Sequence, residues 1–145
     1  MQAIKLKILI VDDAAYMRLM LKKILTNYGY EVSGEADSVQ QAIRNYKSLK
    51  PDLVIMDICM PVEIGSKEKD RKTKLDEMRG GIEAIKAIIA IDPSAQIIVC
   101  SALGDRDMVI DAIKAGAKNY ILKPFTHQQL IDTVIKWTVE NGIFL

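Results

Sequence analysis

The sequence predicts an α/β fold built on a parallel sheet. Short apolar runs alternate with stretches of helical periodicity five times along the chain, the pattern of repeated strand–helix units. Three of those runs, Lys5–Val11, Leu53–Asp57 and Gln96–Ser101, are almost continuously apolar, as strands covered on both faces must be. With 145 residues, half of them hydrophobic, the chain suits one domain with a sizeable core.

The first strand, Lys5–Val11, runs into two acids, Asp12 and Asp13. Met17, Met20, Leu21, Ile24 and Tyr28 then repeat at the spacing of one buried helical face, and Asn27-Tyr28-Gly29 supplies a glycine stop. The second strand, Tyr30–Ala36, is more polar and suits a sheet edge. Ser38-Val39-Gln40-Gln41 opens the second helix as a capping box, and that helix ends before Pro51. The third strand, Leu53–Asp57, terminates in a lone carboxylate. Ile82, Ile85, Ile88 and Ile89 mark the third helix, which stops near Asp92-Pro93. Gln96–Ser101 is the fourth strand; Met108, Val109, Ala112 and Ile113 line the fourth helix before Gly116. A short fifth strand, Tyr120–Leu122, precedes Lys123. The last helix begins with a second capping box, Thr126-His127-Gln128-Gln129, with Phe125 and Leu130 placed as a hydrophobic staple. Trp137 shares a stripe with Leu130 and Val134 and is expected in the core; Ile131 and Ile135 form a second stripe that hints at a partner.

One segment breaks the rhythm. Connections in such units usually run about 2–6 residues. Here a charged insert occupies roughly residues 62–80, with six basic and five acidic residues. A solvated loop is the default reading, and a docking element the sharper one. No linker or second domain follows, so residues 1–145 are expected to form a single domain.

The charge balance is even, at 20 basic and 19 acidic residues and a net +1, which argues against a nucleic-acid or anionic-membrane partner. There is no apolar stretch of spanning length and no signal-peptide pattern, so a cytoplasmic protein is expected. Cys59 and Cys100 then read as free thiols. His127, the only histidine, reads as a surface residue at a helix start.

In a parallel sheet with helical crossovers, the strands' carboxyl ends share one edge. Asp12, Asp13, Asp57, Ser101 and Lys123 would meet there. Carboxylates so placed repel one another, and a hard divalent cation relieves the repulsion while keeping coordination positions for phosphoryl oxygens. Asp57 is the best nucleophile, because the other two acids come as a pair; Asp12 could instead cap the first helix. Lys123 offers a point charge, and Ser101 a hydroxyl donor, to a phosphoryl group.

Five pieces in this order resemble the receiver domain of two-component response regulators, of the stand-alone, CheY-like type. They are Ile10-Val11-Asp12-Asp13, Met56-Asp57-Ile58-Cys59-Met60-Pro61, Gly81-Ile82-Glu83-Ala84-Ile85, Ser101-Ala102, and Gly116 through Phe125. The resemblance implies a five-stranded sheet of order 2-1-3-4-5 flanked by five helices. It implies Asp57 as phosphoacceptor, and Asp12, Asp13, Asp57 and the Cys59 backbone carbonyl as ligands of magnesium, with manganese as a substitute. Ser101 and Tyr120 correspond to the family's switch pair, and Lys123-Pro124 to its lysine and proline, often joined there by a cis peptide. The donor would be a histidine kinase or a phosphotransfer protein. The output would be a protein target on the face of the fourth helix, fifth strand and fifth helix, with phosphorylation-dependent homodimerisation left open.

The chain departs from the family pattern in its charged insert and in Arg79-Gly80 before Gly81, where the family has Met-Asp. Two rival readings remain at this stage. A receiver that acts without phosphorylation would not need its full set of acceptor residues. A phosphatase of the haloacid dehalogenase type wants a second acid two residues after the nucleophile, where Cys59 stands. No Gly-x-Gly-x-x-Gly follows any strand, which argues against a dinucleotide enzyme.

Overall fold

A computed structural model describes residues 6–62, 78–102 and 105–143. The strands are β1 (Lys7–Val11), β2 (Glu31–Ala36), β3 (Leu53–Asp57), β4 (Ile97–Ala102) and β5 (Asn119–Lys123). The helices are α1 (Ala15–Asn27), α2 (Val39–Leu49), α3 (Gly80–Ile91), α4 (Arg106–Ala115) and α5 (His127–Glu140). All neighbouring strands are parallel, in the order β2-β1-β3-β4-β5 that the family resemblance implied. None of the described helices is long and apolar enough to cross a membrane.

Strand alternation builds two cores, one on each face of the sheet. Leu9, Val11, Val54, Met56, Ile97 and Val99 face α2, α3 and α4. Their neighbours Ile8, Ile10, Leu53, Ile55, Ile98 and Cys100 face α1 and α5. A fully buried Ile or Leu contributes roughly 2 kcal/mol, so the three central strands anchor the domain. β2 and β5 are the edges and are only partly covered, as the polar second strand foretold.

The caps match the sequence closely. Ser38 Oγ accepts from Gln41 N at 3.2 Å, while Gln41 Oε1 accepts from Asp37 N rather than from the cap residue itself. Thr126 and Gln129 form the full reciprocal box. α1 closes with Gly29 at φ 89°, its N–H donating to Thr26 O, while Tyr30 N–H donates to Leu25 O. Three helical residues fall on other faces than expected. Tyr28 is exposed because it caps α1 instead of continuing its stripe. Ile113 is exposed on α4, which buries Met108 and Ala112. Ile131 joins Leu130 and Val134 in the core, so of the second α5 stripe only Ile135 stays exposed. Trp137 is buried as expected, with Nε1 donating to Gln96 Oε1 at 3.1 Å.

The charged insert lies mostly outside the described residues; its stems are inside them. Gly80 N–H donates to Met60 O at 2.7 Å, and Gly81 N–H to Ile58 O at 2.9 Å. The N-terminus of α3 therefore sits directly on the loop that follows β3. A Cβ at Gly81 would stand 2.5 Å from Ile58 Cα, and one at Gly80 would stand 2.5 Å from Pro61 O. Both obstacles are backbone, so only glycine lets the helix approach. Arg79, the N-cap residue of α3, pairs with Asp111 on α4.

Gly81→Ala is expected to lower stability by about 2 kcal/mol or more, read from urea denaturation. Gly34→Ala should cost less, because the one close contact of its methyl would be with the Leu49 side-chain tip, at 2.5 Å, with Leu9 Cδ1 at an ordinary 3.8 Å. Equal losses for the two variants would rule out backbone crowding as the cause.

Candidate functional site

β1 and β3 are neighbours, with Val11 opposite Met56. Asp12, the residue after β1, and Asp57, the last of β3, therefore emerge side by side at the carboxyl edge. This is where the chain's strand order reverses and open α/β sheets form their crevice. Asp12, Asp13 and Asp57 each offer a carboxylate oxygen within 4.8 Å of the others. Asp12 and Asp57 are buried, and Asp13 is exposed.

Asp12 is held at every polar atom. Its N–H donates to Ala36 O at 3.1 Å, and its carbonyl accepts from Arg18 Nη1 at 2.7 Å. Its Oδ1 accepts from Ala14 N at 2.9 Å, and its Oδ2 from Lys123 Nζ at 3.2 Å. The N-cap residue of α1 is Ala14 and no side chain caps it, so the Asp12 bond to Ala14 N closes a turn ahead of the helix rather than forming the cap that the sequence left open. Asp57 Oδ1 accepts from Cys59 N and Lys123 Nζ, both at 3.2 Å. Among the described residues, both hydrogen bonds to Asp57 fall on Oδ1 and none on Oδ2.

Lys123 reaches this pair from the end of β5, where it lies opposite Ala102. The Lys123-Pro124 peptide is cis. Ser101 is buried on β4, next to the Cys100 that pairs with Asp57, and its hydroxyl donates to Ala102 O at 3.4 Å. Tyr120 is 47% exposed. The structure thus gathers Asp12, Asp13, Asp57 and Lys123 into one cluster, puts Ser101 on the same edge, and leaves Tyr120 outside. Cys59 enters through its backbone N–H. His127 is exposed, and both cysteines are free.

The electrostatics follow from burial and crowding. Burial pushes the Asp57 carboxyl up to about 6; Lys123 opposes the rise, and the Asp12 charge adds to it. Burial and the Asp12 charge also raise Asp13. Burial pulls Lys123 down, but Asp57 and Asp12 outweigh it and hold the ammonium above its ordinary range. Three carboxylates thus share one ammonium, and the surplus charge is negative. The donor set is all carboxylate oxygen, and burial pushes the nearby Cys100 thiol up to about 12, so no thiolate competes. Such a set fits a hard divalent cation rather than zinc or copper.

Three features went unseen in the sequence. Arg18 and the Cys59 N–H act through backbone or by backbone, and no residue type announces that. Gly80 was read only as a departure, although a Gly-Gly pair at a helix start signals close approach.

A family model described as the response regulator receiver domain matches residues 8–68 and 73–135. The chain is 52% identical over 130 residues to chemotaxis protein CheY of Thermotoga maritima, covering 90% of this chain and 95% of that protein. It is 48% identical to CheY of Bacillus subtilis over the same shares. Among solved structures, a CheX–CheY complex with beryllium fluoride and magnesium from Borrelia burgdorferi is similar, with TM-score 0.74 and 28% identity. The match covers 91% of this chain and 88% of that one.

The raised Asp57 pKa has a stability sign. The folded carboxyl holds its proton up to about pH 6, above the ordinary carboxyl value of 3.8. Stability is therefore lost as pH rises between those values, and stays lower above them. Asp57→Asn does not titrate. In EDTA it is expected to match wild type near pH 4 and to exceed it by up to about 3 kcal/mol at pH 7.5. Urea denaturation at the two pH values checks this; a gap that does not change with pH would refute it.

Proposed function

The chain belongs to the response regulator receiver family, and on that footing we propose that it is a phosphoacceptor switch in which Asp57 takes the phosphoryl group. One observation supports this above others: three carboxylates and the Lys123 ammonium meet at the sheet's switch point, with no hydrogen bond on Asp57 Oδ2 among the described residues.

A histidine kinase or a phosphotransfer protein presents a phosphohistidine at this edge. Asp57 Oδ2 attacks phosphorus in line, the O–P bond forms, and the P–N bond to the imidazole breaks. Asp12, Asp13, Asp57 and the Cys59 carbonyl would hold magnesium, or manganese in its place, which when bound would supply positive charge against the phosphoryl oxygens. Lys123 exchanges its Asp57 contact for a phosphoryl oxygen. Small phosphodonors serve the same acceptor, and attack by water at phosphorus later breaks the Asp57 O–P bond, releases inorganic phosphate and restores the free carboxylate. The Borrelia complex, solved with magnesium and beryllium fluoride, supports the pairing of ion and phosphoryl mimic in a relative.

Phosphorylation adds about −1.5 to −2 charges if it resembles other phospho-side chains. Ser101 leaves the Ala102 carbonyl for the new oxygens, and Tyr120 turns from solvent into the space vacated. This biases two states of the α4–β5–α5 face, where Ile110, Ile113, Leu122, Ile135 and Val139 are exposed. That face receives a downstream protein, and a phosphorylation-dependent homodimer would use it too. We read residues 1–145 as one cytoplasmic receiver domain, with about 62–80 as an accessory segment; two free cysteines are consistent with a reducing compartment.

Incubation with magnesium and a small phosphodonor is expected to give one phosphoryl adduct by intact mass, absent in Asp57→Ala and in EDTA. An adduct that persists in Asp57→Ala would move the acceptor elsewhere. Magnesium is also expected to raise the wild-type melting temperature and to leave the Asp12→Ala/Asp13→Ala variant unmoved.

A further inference from the structure

We infer that Arg18 is a positioning residue for the acid pair: its grip on the Asp12 carbonyl aims the Asp13 carboxylate and so sets cation affinity. The inference rests on the reading of this cluster as a divalent-cation site.

Arg18 lies one turn into α1, and helical side chains lean toward the helix N-terminus. Its guanidinium therefore reaches back to the loop between β1 and α1. Nη1 donates to Asp12 O at 2.7 Å, and Nε donates to Glu35 Oε1 at 3.3 Å. Glu35 stands on β2 opposite Ile10, and its other oxygen lies 4.0 Å from Lys22 Nζ. The guanidinium is thus fixed from the strand beside the site, and its side chain is only 18% exposed.

The Asp12–Asp13 peptide is planar, so the Asp12 carbonyl and the Asp13 N–H turn together. The Asp12 carboxylate has its own anchors in Ala14 N and Lys123. Asp13 is the exposed member of the cluster, and its backbone N and Cα are carried by that peptide plane. Removing Arg18 frees the plane and leaves the Asp12 side chain held. A guanidinium near a cation site also repels the ion, and Glu35 offsets that charge. The arm Glu35–Arg18–Asp12 carbonyl acts as a support one step behind the ligands, where substitutions typically weaken metal binding about 10–100-fold.

The ordinary alternative is a partly exposed ion pair joining α1 to β2. Such a pair contributes little to stability and nothing to cation affinity. Titration calorimetry with magnesium separates the two, run on wild type, Arg18→Ala, Arg18→Lys and Glu35→Ala, each also melted in EDTA. Arg18→Ala is expected to weaken magnesium by roughly tenfold. Arg18→Lys should recover only part, since one ammonium does not span both partners. Glu35→Ala should give an intermediate loss. Phosphorylation of Arg18→Ala by a small donor should return to the wild-type rate once magnesium is saturating. Magnesium affinity within about twofold of wild type would overturn the inference, whatever the melting temperature does. So would a rate defect that persists at saturating magnesium. If Arg18→Ala does not fold, unchanged affinity in Glu35→Ala overturns it instead. A wild type that binds no magnesium overturns both the inference and the cation site; binding in wild type with equal affinity in the variant overturns Arg18 alone.

Discussion

The Lys123 ammonium, shared between Asp12 and Asp57 at 3.2 Å each, is the interaction on which the site's arrangement depends. Two buried carboxylates from neighbouring strands would otherwise repel in a poorly hydrated crevice. Lysine suits this task better than arginine. Its compact charge on a flexible stem leaves one partner for another without the loss of a fixed two-point geometry. The contact is therefore a tether across the sheet, from β5 to β1 and β3.

Its compensation is incomplete. Burial still pushes Asp57 up to about 6, and Asp13 is raised as well. The fold holds a charge arrangement that it does not itself neutralise, and its cores carry that cost. Val54, Met56, Ile58 and Met60 are all buried around the acceptor strand and the loop after it. The Gly80–Gly81 pair lets α3 lie directly on that loop, which keeps Asp57 and the Cys59 N–H in register.

The parts legible in the sequence were those in which residue type and periodicity agree. β1, β3 and β4 stood out because strands buried on both faces leave no polar alternation. The acids and Lys123 stood out because charged groups at the ends of apolar runs have few structural reasons to be there. The strand order was not in the periodicity; it came with the family resemblance. Ile113 and Ile131 were misplaced for one common reason, whereas Tyr28 was misplaced because α1 ends before it. A helical stripe has a direction that spacing reveals, but its width depends on what packs against it. α5 buries a wide stripe and α4 a narrow one. Arg18 escaped notice because its partner at the site is a carbonyl, and every residue has one.

The hydrogen bond from Gly80 to Met60 closes the stems of the charged insert within 2.7 Å. Whatever lies between those stems begins and ends at the same point of the domain. The entropy of closing such a segment grows only with the logarithm of its length, about 0.6 kcal/mol per doubling. Changes in its length or composition are thus nearly decoupled from the stability of the sheet. The length and charge of that segment can therefore vary while the carboxylates and Lys123 keep their places at the sheet edge.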